Sequence, residues 1–130
     1  MNRKKLLKNI FFLMLLMFLA NSLIIKFHLY YSVWWVDMVM HFGGGFWVGL
    51  FFFYVFYTRE WFSSKLLSVF ISILLIGLLW ELFEYYLNII SYEPFVLSDT
   101  LSDIFFDMAG GLLSMIYFSK RIMFTSKNKI

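Results

Sequence analysis

The chain contains no cysteine and a single proline, Pro94, in 130 residues. Without cysteine there is no disulfide framework and no thiolate metal site, and nothing reports the redox compartment. With one proline, almost nothing interrupts a helix. Charge is scarce as well: 15% of the residues are Asp, Glu, Lys or Arg, against about a quarter in ordinary soluble domains. Lys and Arg are missing altogether from three long stretches, 37–57, 66–90 and 99–118. There is no internal repeat, linker or low-complexity tract. The length allows one domain, residues 1–130, and no separate water-soluble catalytic module.

What fills the chain is apolar: 62% hydrophobic residues, 24% aromatic. A soluble domain of this size could not bury so much apolar side chain, so the solvent is lipid. Four runs are long enough to cross a bilayer core, which takes about 20 residues: about 6–25, 37–57, 66–90 and 99–118. The first follows Arg3, Lys4, Lys5 and Lys8, the start of a signal peptide as well as of an anchored helix. Its only small-residue site, LANS, is a weak cleavage site and its apolar length spans the bilayer, so a retained helix is expected. Tyr30, Tyr31, Trp34 and Trp35 in the first connection are residues that settle at the headgroup boundary. Gly45 and Gly49, four apart in the second run, suit close helix–helix approach. Pro94 makes the third connection extended or turn-like, and Ser98 or Thr100 is placed to cap the fourth helix, Thr100 with Asp103 at capping-box spacing.

The formal charge of +3 does not point to nucleic acid, because the bases sort by topology. Arg3, Lys4, Lys5, Lys8, Arg59, Lys65, Lys120, Arg121, Lys127 and Lys129 fall at the termini and in the second connection, and only Lys26 falls elsewhere. The positive-inside rule then puts both termini in the cytoplasm. The expected fold is all-α: a four-helix transmembrane bundle, N-in and C-in with short connections, multi-pass in the inner cell membrane with the lipid bilayer as its first partner.

Six of the eight acids lie in the spans. Asp99, Asp103 and Asp107 recur every four residues, which aligns them along one helix face. Asp37 and His41 share that spacing, and Glu81 and Glu84 share a face with Gly77 and Asn88. In the N-in orientation all sit toward the outer ends. At about 1.5 Å per residue, His41 lies roughly 6 Å, Glu84 roughly 9 Å, Asp107 roughly 12 Å and Glu81 roughly 14 Å below those ends. A charged side chain at bilayer depth costs between about 3 and more than 10 kcal/mol. Uncompensated carboxylates are therefore untenable together: they share protons, line water or hold a cation.

His41, Glu81, Glu84, Asp103 and Asp107 are the candidate catalytic or metal-ligating groups. Their hard oxygens and one imidazole suit a divalent Mg, Mn, Zn or Fe ion better than copper, although no ExxH pair of the di-iron type is present. Asp37, four residues before His41, can orient the imidazole from outside the ligand set, and Asp99 reads as a cap on the helix dipole. Two other readings stay open: a hydrogen-bonded network that only fixes helix packing, and a cation or proton relay. The inner halves of spans two and three, GLFFFYVFY and LLSVFISILL, are nearly all apolar, which argues against conduction. The polar stripes could also serve a homo-oligomer. Trp80 and FFFYVF read as lipid-facing or packing surface.

Asp-x-x-x-His-Phe before a glycine cluster, then WELFE, then D-T-x-x-D-x-x-x-D-x-x-G-G, on successive helices, resembles the VanZ-like superfamily, in particular its YjdF-type branch of small bacterial inner-membrane proteins. Met38 stands where those proteins have Lys, and Asp107 where they often have Asn. The resemblance implies the helical fold, an outward polar site and a loose link to the cell envelope. The leading expectation, beside the two readings above, is cation-assisted chemistry or binding of a lipid or lipid-linked phosphate.

Overall fold

The computed structural model describes residues 3–56 and 62–127. They form four long helices and one short one: α1 (Arg3–Lys26), α2 (Leu29–Ser32), α3 (Val36–Phe56), α4 (Phe62–Ser91) and α5 (Leu97–Lys127). All four long helices are long and apolar enough to cross a membrane. The end of the second expected span at Tyr57, the bases and aromatics of the second connection (Arg59, Trp61) and Lys129 lie outside the described residues.

The helix ends differ from the sequence expectation by a few residues, for local reasons. Helix α5 begins at Leu97, so Ser98 and Thr100 are not caps. They sit inside the first turn, where the Val96 carbonyl accepts from the Asp99 and Thr100 amides at 3.1 and 3.3 Å. The opposite end of that connection is a Schellman closure of α4: the Glu93 amide donates to the Asn88 carbonyl (3.0 Å) and the Tyr92 amide to that of Ile89 (3.4 Å). Tyr92 takes the left-handed conformation, φ 59°, that glycine usually fills there. At its far end α5 runs past the apolar stretch to Lys127, because Lys and Arg continue a helix well once it leaves lipid. The short α2 was not expected: one aromatic turn carries no readable period.

Helix α3 is the hub, packed most extensively on α5 and also against α1 and α4. Lipid tails are as apolar as leucine, so close packing rather than water exclusion drives helix association. Glycine makes the closest approaches. A Cβ on Gly45 would overlap the Asp107 backbone carbonyl, and one on Gly49 would overlap the Ser114 hydroxyl. The half of the bundle nearer the start of α1 is dry: Leu50, Phe53, Val69, Ile73 and Phe118 are buried together, with the Phe53 and Phe118 rings stacked 4.3 Å apart. Helix α1 is fastened at this end by Leu6 and Ile10 in the core and by the Trp47 indole donating to the Ile10 carbonyl at 3.0 Å. Lys65 donates to the last carbonyl of α3, that of Phe56, at 2.6 Å, a cation at a helix C-terminus.

Candidate intramembrane histidine–carboxylate site

The site lies where α3, α4 and α5 meet, above the dry core. His41 stands on α3 one turn after Asp37, Glu81 and Glu84 on α4, and Asp99, Asp103 and Asp107 on successive turns of α5. Spacings of three residues on α4 and four on α3 and α5 keep each set on one helix face. His41, Glu81, Asp103 and Asp107 are all buried, Asp103 with 2% of its surface exposed.

The His41 ring is bracketed by carboxylates. Its Nδ1 lies 3.4 Å from Asp107 Oδ1, and its Nε2 lies 3.7 Å from Asp37 Oδ1 and 3.9 Å from Asp103 Oδ1. His41, Glu81, Glu84 and Asp103 each place a donor atom within 4.8 Å of the others. A divalent ion bonded at about 2.1 Å holds opposite ligands roughly 4 Å apart, so these four fit a cation with small side-chain movements. Asp37, Asp99 and Asp103 form a second such group nearer the starts of α3 and α5, sharing Asp103. Asp107 is outside both groups, on the Nδ1 side of the imidazole.

Neighbouring groups orient the acids. The Trp80 indole donates to Glu84 Oε1 at 2.8 Å, and the Thr100 hydroxyl faces the Glu81 carboxylate. Glu81 Oε1 is nevertheless buried with no hydrogen-bond partner. Gly77, one turn below Glu81, makes room for Asp107: a Cβ there would come 2.9 Å from Asp107 Oδ2. Outside the spans, the Tyr30 hydroxyl donates to Asn21 Oδ1 at 2.6 Å. Burial pushes its pKa above the ordinary phenol value, and the negative charges of Asp37 and Glu84 add to the shift.

Sequence reasoning missed Trp80, Thr100 and Tyr30 as members of this environment. Trp80 carried a usable signal, an indole four residues before Glu84 on one helix. Thr100 and Tyr30 carried none, because their partners sit on other helices. Beneath the site the buried side chains are those of Ile73, Val69, Leu50, Phe53 and Phe118, and among the described residues Ser114 is the only buried polar one at that level.

Four apolar helices around a buried His/Asp cluster define a polytopic membrane protein with an internal polar site. The chain matches a family model over residues 1–123 and belongs to that family, described as predicted membrane protein (DUF2238). No curated protein and no solved structure matches it.

Proposed function

We propose that the protein holds a divalent cation on His41, Glu81, Glu84 and Asp103 and offers it, at the outer face of the cell's inner membrane, to the phosphate of a lipid or lipid-linked envelope compound. The observation that carries the reading is the Glu81 carboxylate: its Oε1 is buried and unpartnered, and the group lies within 4.8 Å of three other donors. A buried polar atom without a partner costs about 1–3 kcal/mol, more when charged. A cation removes that cost and the repulsion between the acids.

The ion would supply positive charge for phosphate oxygens, a task for which spans two to four contain no Lys or Arg. Asp37 and Asp99, less buried than Asp103, stand at the outer approach. The distribution of Lys and Arg supports the N-in, C-in orientation, and the resemblance to VanZ-like proteins supports the link to the envelope. A relay is disfavoured by the apolar layer beneath the site.

A packing role for the acids is the second reading, favoured by the way Asp107 is received between Gly45 and Gly77. Elemental analysis of detergent-purified protein separates the two, with wild type beside His41→Ala and Glu81→Gln. About one divalent ion per chain is expected in wild type. Less than a tenth of that is expected in the variants, with helical content unchanged by circular dichroism. A metal-free wild type after incubation with Mg, Mn and Zn overturns the proposal, and variants that fail to fold favour packing.

A further inference from the structure

We infer that Asp107 is a positioning residue for His41 and not one of the cation's ligands: it takes the Nδ1 hydrogen of the imidazole and so leaves the Nε2 lone pair on the side of Asp37 and Asp103. The purpose of this arrangement rests on the cation reading above; its geometry does not.

A neutral imidazole has one N–H and one lone pair, and a partner on one nitrogen decides which is which. In His41 the two nitrogens face different neighbours: Nδ1 is 3.4 Å from Asp107 Oδ1, within the outer limit of a hydrogen bond, whereas Nε2 is 3.7 Å from Asp37 Oδ1 and 3.9 Å from Asp103 Oδ1, beyond that limit for both. A contact of 3.4 Å is long for a hydrogen bond, and such contacts commonly tighten when a site is filled. Metal-binding histidines almost always give their other ring N–H to a carboxylate, carbonyl or water.

Asp107 is also held away from the four-donor group. Its backbone carbonyl is pressed against Gly45 of α3, and its carboxylate occupies the space that a side chain at Gly77 of α4 would take. A residue whose backbone is pinned by one helix and whose carboxylate is seated against another has little freedom to swing toward Glu81 and Glu84. The acid is seated where it meets the back of the imidazole.

The test is the tautomer of His41, read by nitrogen–proton NMR on histidine-labelled, detergent-purified protein carrying His28→Gln. That substitution leaves one imidazole in the chain. The spectrum is followed with rising pH until the ring is neutral, without added metal. The Nδ1–H form is expected, although free neutral histidine prefers Nε2–H. Asp107→Leu is expected to restore the Nε2–H form and weaken Zn²⁺ binding by about 10–100-fold. Asp107→Asn, which keeps an acceptor oxygen, is expected to retain the Nδ1–H form and most of the affinity. Gly77→Ala, which crowds the carboxylate, provides a second perturbation if Asp107→Leu does not fold, and is expected to shift the tautomer in the same direction.

An Nε2–H wild type overturns the inference, as does a tautomer indifferent to Asp107→Leu. Loss of Zn²⁺ in Asp107→Leu as complete as in His41→Ala also overturns it, because Asp107 would then be a ligand. A wild type that binds no Zn²⁺ removes the cation reading alone, since the metal-free tautomer still decides this one.

Discussion

Two glycines on one helix, two residues apart, are expected to respond oppositely to the same substitution. At Gly45 a Cβ overlaps the Asp107 backbone carbonyl, while at Gly43 its nearest neighbour is the Met17 methyl at 3.4 Å. Met17 ends in an unbranched, adaptable side chain that can give way. A backbone carbonyl cannot. To restore an ordinary C···O contact of about 3.3 Å, α3 and α5 must part by on the order of 1 Å along their closest seam. Forcing extra volume into a packed interface costs about 1–3 kcal/mol, from which the helix-propensity gain of Gly→Ala, about 1 kcal/mol, is subtracted. Gly45→Ala is thus expected to lose on the order of 1–2 kcal/mol, and Gly43→Ala to be neutral or to gain up to about 1 kcal/mol. Reversible unfolding in mixed detergent, followed by circular dichroism, measures both. Because the Gly45 contact is with Asp107 itself, Gly45→Ala is further expected to weaken divalent-ion binding while Gly43→Ala leaves it unchanged. Equal effects of the two substitutions on stability would refute the packing argument, since the variants differ in little but what the added methyl meets.

Tyr92 caps α4 in a left-handed conformation with its side chain 96% exposed. Tyr92→Gly removes the steric cost of that backbone, about 1–2 kcal/mol, and loses no packing, so a rise in the thermal midpoint is expected. Phe53→Ala deletes half of the stacked pair in the dry core. A soluble protein would lose about 3–5 kcal/mol; here lipid solvates the exposed side chain in the separated state, so roughly half of that is expected in the same unfolding assay. Tyr30 has a phenol pKa raised above 10.0, so the folded state holds its proton more tightly than the unfolded chain. Its contribution is present below that pH and is lost as pH climbs from the unfolded value through the folded one. Wild type should therefore lose stability more steeply than Tyr30→Phe above pH 10, and a pH series of thermal midpoints reads the difference.

The long helices were legible because lipid imposes a coarse rule: about 20 apolar residues per crossing, with polar segments between. The acids were legible for the same reason, since a carboxylate in an apolar run is conspicuous. The Gly45 and Gly49 spacing announced a close approach, but only the fold assigns Asp107 and Ser114 as what is approached. The start of α5 was misjudged because Ser98 and Thr100 are residues that favour caps, while the connection through Pro94 is irregular only over 93–96 and the helix begins two residues earlier. The opposed neighbours of the His41 ring could not be read at all. They depend on the rotation of α3 against α5, a packing outcome that no spacing along one helix records.

The stacked Phe53 and Phe118 rings, with the aliphatic side chains around them, act electrically as an insulating floor. In an energised membrane the voltage falls mainly across such a dry layer, where moving a unit charge costs about 2.3 kcal/mol per 100 mV. In the proposed orientation, a cation resting above that floor has crossed little of the field. Its residence would follow the ionic composition of the outer solution far more than the charge state of the cell, and it would leave by the route through which it came.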